Sequence, residues 1–436
     1  MNKILRQGCC VVMTIISISC NNSRPAVSPD ESDILPASLE NLTTVIIRDI
    51  YTPPVASRIY AYTHLAFYEG IRFASGKDSS ITAQLNGFGP MPHPAAGKPY
   101  NFTLAGLTAF YEVGRKMVFS KDSLKLAQEQ VTRQFTSLLP PETFQNSVAL
   151  GTEIAEVIIR RSKQDHYDST RGMPRFSVFK TEGKWVQTSP DYSDAVEPYW
   201  SSITPLLLDS AAQFKPARPP AYSLDTASNY YHELMEVYNV NRDLTPLQDT
   251  IATYWDDNAF VTKHEGHLMY ANKKTTPVGH WMGITSILCR QQKKDQVESA
   301  KIYALTACAI FDGFISCWDE KFRSSTVRPI TVIQAQMDPE WTSFLQTPPF
   351  PEYTSGHSVI SGAAAAVLTS RLGDNIPFTD DTEIPYLGLR RKFSSINAAA
   401  EEAGISRLYG GIHFRAAIAE GGRQGKLIGD LYNSTF

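Results

Sequence analysis

Past residue 40 the apolar residues of this chain recur every three or four positions in one long segment after another, and they rarely alternate. That spacing buries one side of a helix rather than one face of a strand, so it confines the chain to a helical fold. From Pro54 to Ser75, Val55, Ile59, Tyr62, Ala66 and Phe73 share a helix face, and Pro53 and Pro54 stand where a helix start tolerates proline. Thr103 to Phe119, Leu124 to Leu139 and Asn146 to Gln164 repeat the pattern, with Pro140-Pro141 as a break. The signal fades between Trp200 and Ser228, where Pro205, Pro216, Pro219 and Pro220 mark an extended connection. It returns at Tyr230 and is clearest at Glu298 to Asp319, Gly356 to Leu372 and Ser395 to Gly404. An all-α protein follows: a large helical bundle in two halves, 41–215 and 216–436, sharing one core, without an internal repeat.

A chain of 436 residues that is 42% hydrophobic and 19% charged can bury a large core. Its net charge of −3 gives no basic excess, which excludes an ordinary nucleic-acid surface. An anion site here must therefore be a local concentration of positive charge.

The first twenty residues read as an export signal. Lys3 and Arg6 form a basic start, Gly8 to Ser19 is apolar but short for a bilayer, and Ser19-Cys20 precedes a polar tail. Residues 1–20 are expected to be a lipoprotein-type signal with Cys20 as the lipidated residue, followed by a flexible linker over 21–40. An ordinary cleaved signal is the plainer alternative. Either places the protein outside the cytoplasm, in the periplasm or on the outer membrane, with membrane contact only through the lipid. No other stretch is expected to span a membrane. Cys289, Cys308 and Cys317 remain in the mature chain; a bridge within this set is possible, but they read as small buried apolar residues.

Three clusters in the last third carry the chemistry. Lys321 and Arg328 lie seven apart, and Pro329 disfavours helix at Arg328, so the two side chains can converge across a bend. Ser355-Gly356-His357 opens a strongly helical run, where unpaired N–H groups and the helix dipole favour an anion. Arg407 and His413 flank Gly410-Gly411, a bend that can aim both at one point. Each cluster alone is ordinary: a solvated face, a capping turn, a core histidine. Together they give three cations suited to oxyanion oxygens and two imidazoles, one to bond a central atom and one to move a proton.

Lys-x6-Arg-Pro, then Ser-Gly-His, then Ser-Arg-x5-His resembles the signature shared by vanadium-dependent haloperoxidases and acid phosphatases of the phosphatidic-acid-phosphatase type 2 superfamily. The runs beginning at Pro53 and at Thr276, the latter containing His280, resemble bacterial haloperoxidase-type proteins and extend the likeness over most of the chain. The resemblance implies vanadate as cofactor, with phosphate able to occupy the same site. His413 would be the metal ligand at an apical position. Lys321, Arg328, Ser355, Arg407 and the Gly356 N–H would hold equatorial oxygens, and His357 would be the acid–base partner. Hydrogen peroxide would then oxidise halide to hypohalous acid. In the phosphatase alternative His413 would attack phosphorus of a phosphate ester to give a phosphohistidine, with His357 protonating the leaving group.

Trp318 and Phe350 match pocket-lining positions of the haloperoxidases, and this pair resembles the iodide-oxidising bacterial types, with bromide the second choice. Two departures stand out. Thr354 replaces the usual proline, and Ala417 stands where an aspartate often follows the metal-binding histidine, so His413 needs another orienting partner, for which a backbone carbonyl is the candidate. His264 and His267 lack a third ligand and read as structural. Asp256, Asp257 and Asn258 read as a solvated loop, with partnership to the arginines as the other reading. A third class, a lipoprotein that sequesters an oxyanion without catalysis, would need the cations but not both histidines.

Overall fold

The computed structural model describes residues 31–436 apart from 77–78, 179–180, 259–260, 266 and 272–273, and the side chains of the same residues except 31–32, 263–265 and 268–271. The expected signal, Cys20 and the start of the expected linker lie outside the described residues. The first half contains α1 (Glu31–Arg48), α2 (Pro53–Ile71), α3 (Phe102–Met117), α4 (Lys121–Leu138), α5 (Pro141–Lys163) and the short α6 (Tyr167–Arg171). The second contains α7 (Asn229–Arg242), α8 (Pro246–Tyr254), the strands β1 (Thr262–Glu265) and β2 (Leu268–Ala271), α9 (Pro277–Gln291) and α10 (Gln296–Ser324). After them come α11 (Pro329–Gln336), α12 (Gly356–Leu372), β3 (Phe378–Asp380), α13 (Ile384–Leu387), β4 (Arg391–Phe393), α14 (Ile396–Tyr409) and α15 (Arg415–Thr435). The strands form two small antiparallel pairs, β1 with β2 and β3 with β4, with Thr262 opposite Ala271 and Phe378 opposite Phe393. The fold is all-α.

One core runs through both halves, from Ile34 and Leu35 to Ile428 and Tyr432. At its centre α10 packs against α2 from the first half and against α12 from the second. Helices α12 and α15 approach so closely that a Cβ at Gly425 would sit 1.9 Å from the Val359 carbonyl oxygen, so only glycine fits.

Three expectations change. Residues 31–40 are helical, not linker: α1 begins at Glu31 and buries Ile34, Leu35 and Leu39. Helix α2 is buried on every side rather than along one stripe, and Phe73 has left it for a 3₁₀ turn. Among the described residues α10 is long and apolar enough to cross a membrane, contrary to the expectation that no such segment follows the signal. Its most apolar 18-residue stretch is 94% buried, as the central helix of a bundle must be. Cys289, Cys308 and Cys317 are free and buried.

The proline-rich connector is pinned by one carboxylate. Asp312 of α10 accepts the N–H groups of Leu206 (2.7 Å), Leu207 (2.8 Å) and Leu208 (3.2 Å), and the Tyr432 hydroxyl at 2.9 Å. These donors would otherwise be buried without partners. In Asp312→Asn an amide N–H faces at least one of them, and a loss of about 2 kcal/mol in urea-unfolding free energy is expected.

Candidate active site

The three clusters meet because helices end where they do. Helix α10 stops after Ser324, Ser325 takes a left-handed conformation (φ 50°), and Arg328 becomes the N-cap of α11. Lys321 and Arg328 thus converge across a bend. Ser355 caps α12 by accepting the Ser358 N–H at 3.3 Å, and its hydroxyl keeps a hydrogen to donate. Helix α14 ends at Tyr409, and Gly411 (φ 73°) turns the chain so that Arg407 and His413 face one region.

Backbone carbonyls hold the cations in place. Lys321 Nζ donates to the Pro351 and Glu352 carbonyls at 2.9 and 3.0 Å. Arg328 donates through Nε to Phe350 O (2.9 Å) and through Nη1 to Ile412 O (2.7 Å), which also brings Nη1 within 3.2 Å of His413 Nε2. Arg407 Nη1 donates to the Trp255 carbonyl and lies 3.2 Å from His357 Nε2. Each arginine therefore reaches one imidazole.

A cavity of about 50 Å³ is lined by Gly356, His357, Arg407 and His413, with Trp318 and Phe350 on its apolar side. Pro53 and Pro277 also border it, so the sequence runs that start α2 and α9 touch the site. Lys321, Arg328 and Ser355 do not line the cavity surface; they are buried with 0% exposure. The Trp318 and Phe350 rings lie 5.0 Å apart, and Lys321 Nζ lies 5.0 Å from the Phe350 centroid. A larger groove of about 670 Å³ between α12, α14 and α15 carries no imidazole.

The electrostatics ask for an anion. Burial first, then Arg328, pushes Lys321 down to about 7, and burial pushes Arg328 down to about 9. Arginine stays charged even so, and its lowered value records the cost of holding a cation out of water. Burial also lowers Arg407, against the pull of Asp256 and Asp257. Arg328 Nη2 and Arg407 Nε are buried donors with no partner among the described residues. Nearby carboxylates are already engaged: Asp256 by Lys274 at 2.6 Å, Asp257 by His280, and Glu352 by His413. Three buried cations only partly offset by these carboxylates, two of them with free N–H groups, fit a small, multiply charged oxyanion.

Both histidines are neutral donors or acceptors in this setting. Burial, Arg328 and Lys321 hold His413 well below its ordinary value, and burial with Arg407 lowers His357 to about 4. His413 Nδ1 donates to Glu352 Oε1 at 2.8 Å, and the Phe414 N–H donates to the same oxygen at 3.0 Å. Its Nε2 therefore carries the lone pair, the form a metal-binding imidazole needs.

The carboxylate of Glu352 replaces the expected backbone carbonyl as the partner of His413. It stands one turn of chain before Ser355-Gly356-His357, so the missing aspartate at Ala417 has a substitute from the other side. The expectation for Asp256 and Asp257 is also overturned: they are buried (4% and 2% exposed), because Lys274 and His280 neutralise them. Asn258 borders the cavity. His264 lies on β1 with its side chain outside those described, and His267 is exposed.

Fold and site together define a helical-bundle enzyme with a buried site suited to an oxyanion. The sequence profile of the VCPO second helical-bundle domain matches residues 301–435. The crystal structure described as the first bacterial vanadium-dependent iodoperoxidase is 43% identical, covering 93% of this chain and 96% of that one, with a TM-score of 0.88. The holo and apo forms of a bacterial vanadium-dependent chloroperoxidase share the fold at 17% and 16% identity, with TM-scores of 0.64 and 0.63, over 88% of this chain and 93% and 94% of theirs. No curated protein sequence matches. The chain belongs to the vanadium-dependent haloperoxidases.

Proposed function

We propose that this protein is an exported, vanadate-dependent peroxidase that oxidises iodide, and less readily bromide, to hypohalous acid. The observation that carries the reading is the set of buried cations with unpartnered donors around two neutral imidazoles. The residues present suit vanadate: His413 Nε2 would take the metal, and Lys321, Arg328, Arg407, Ser355 and the Gly356 N–H would hold its oxygens. When bound, vanadate supplies a Lewis-acid centre that polarises hydrogen peroxide.

The cations hold negative charge in a site of low dielectric, where their hydrogen bonds are strongest. His357 has Nε2 occupied from behind, which leaves Nδ1 as the nitrogen that exchanges a proton with the reactants. Halide, peroxide and one proton give hypohalous acid and water. The O–O bond breaks, halide supplies two electrons and keeps one oxygen, and the other oxygen leaves as water. A cavity of about 50 Å³ admits only reactants a few waters in size, so an organic acceptor meets the hypohalous acid outside it.

The Trp318 and Phe350 wall and the 43% identity to the iodoperoxidase support iodide as the halide. Lys3, Arg6 and the apolar run to Ser19-Cys20 support export and a lipid on Cys20. The test is to add orthovanadate to the vanadate-free protein and assay iodide oxidation by peroxide beside p-nitrophenyl phosphate hydrolysis. Vanadate-dependent iodide oxidation is expected; hydrolysis that vanadate inhibits would overturn the reading in favour of a phosphatase.

A further inference from the structure

Behind His357 lies a buried cluster that the halide chemistry above does not use. His280, on α9, is 0% exposed, and both its ring nitrogens face carboxylates. Nδ1 lies 3.0 and 3.1 Å from the two Asp257 oxygens, and Nε2 lies 2.9 Å from Asp380 Oδ2. Glu383 Oε1 is 3.8 Å from Nδ1. The Trp255 ring stacks on His280 at 4.4 Å, and Tyr254 meets it edge-on at 5.3 Å.

Asp257, His280 and Glu383 stand close enough to resemble a cation site. The hydrogen bonds argue otherwise. A ring nitrogen that binds a metal must offer its lone pair, yet both nitrogens here face carboxylate oxygens, which accept when ionised. Both nitrogens therefore carry hydrogen, and the ring itself is the cation. Burial opposes that charge, but Asp257 and Asp380 outweigh it and hold His280 well above its ordinary value. In return Asp257 and Asp380 stay below the usual carboxylate range despite burial, while burial pushes Glu383 up to about 8 and keeps it neutral.

The far side of this clamp reaches the active site. Asp257 Oδ2 lies 3.8 Å from His357 Nε2, on which Arg407 Nη1 also bears at 3.2 Å. The two neighbours make opposite demands. Arg407 only donates and needs a lone pair on Nε2, whereas Asp257 only accepts and needs a hydrogen there. An oxyanion that engages the free Nε of Arg407 and also draws Nη1 off the ring removes the first demand.

We propose that His280 is a positioning residue of the active site, which holds Asp257 against His357 so that, with an oxyanion bound, the His357 hydrogen sits on Nε2 and the Nδ1 lone pair faces the cavity. The logic is that of a carboxylate behind a catalytic histidine, extended by one more imidazole and carboxylate. Asp380 completes the clamp, fixed in turn by the Thr382 N–H (3.1 Å) and hydroxyl (2.7 Å). Lys274, through Asp256, and Arg407 are the other charged groups facing Asp257 from neighbouring elements.

The proposal rests on the assignment of His357 as the proton-moving group, but its first test does not need turnover. In protein labelled with ¹⁵N-histidine and saturated with phosphate, the His357 signals should show the hydrogen on Nε2. In His280→Gln they should show it on Nδ1 or exchanging between the two. In vanadate-loaded His280→Gln, kcat for iodide oxidation should fall about 10–100-fold, with KM for iodide and vanadate affinity little changed. If His280→Gln does not fold, Asp380→Asn, which keeps an accepting oxygen but removes a charge, should give the same tautomer shift. An unaltered tautomer in either variant would overturn the proposal, and so would a parallel loss of vanadate binding and kcat, which marks a merely structural role. Absence of halide oxidation in the wild type would instead count against the haloperoxidase reading, and the phosphate-bound tautomer would still decide this one.

Discussion

Replacing His357 by alanine should lower kcat for iodide oxidation by about 10²–10⁴ while leaving vanadate uptake nearly intact. The asymmetry follows from where the side chain sits. His357 lines the cavity, but no cation depends on it alone: Lys321 and Arg328 rest on the carbonyls of residues 350–352 and 412, and Arg407, which also reaches the His357 ring, keeps the Trp255 carbonyl without it. Alanine at the second position of α12 also suits the helix and leaves the Ser355 cap untouched. Binding can be read without turnover, because a ligand of the folded state at about 100 times its Kd adds about 2.7 kcal/mol of stability. His357→Ala should therefore show the same vanadate-induced rise in melting temperature as the wild type. A variant that bound vanadate and kept its rate within a factor of a few would reduce His357 to a bystander and assign the proton transfer to another group.

The sequence made the cations and imidazoles legible because each stands next to a residue that controls backbone direction. Pro329 starts α11 directly after Arg328, Gly411 turns the chain between Arg407 and His413, and Ser355 caps α12. Local chemistry of this kind is written in adjacent letters. The supporting carboxylates are not. Glu352 meets His413 across 61 residues, His280 meets Asp257 across 23 and Asp380 across 100. Nothing in the spacing of an acidic residue says which buried cation will neutralise it, so Asp256 and Asp257 look like solvent-facing residues until Lys274 and His280 are placed beside them. The same limit explains α2. Periodicity identifies a helix with one apolar face, but Arg58 is buried only because Asp165 accepts its hydrogen bond at 2.7 Å, a partner 107 residues away. The helical architecture was open to inspection, and the pairing that lets polar residues enter the core was not.

Glu352 is where that hidden pairing has the largest measurable consequence. Glu352→Ala leaves the Nδ1–H of His413 and the N–H of Phe414 without their shared acceptor, and frees His413 to turn or to change tautomer. Vanadate affinity should fall about 10–100-fold, the usual loss when the group behind a metal-binding histidine is removed. Glu352→Gln separates the two roles of the side chain, since its amide oxygen still accepts both hydrogen bonds but carries no charge. The vanadate-free protein should show the charge alone. Burial pushes the Glu352 carboxyl up to about 7, even with Arg328 beside it. Between the unfolded value near 4.3 and about 7, the folded chain keeps a proton that the unfolded chain has released, so this group lowers stability as pH rises through that window. The difference amounts to about 4 kcal/mol once pH exceeds 7. Glu352→Gln and wild type should then unfold at the same urea concentration near pH 4, with the variant pulling ahead as pH approaches 8. Equal stability across the range would mean that the cations around His413 already compensate the Glu352 charge without an anion, and the electrostatic case for a waiting oxyanion site would fail with it.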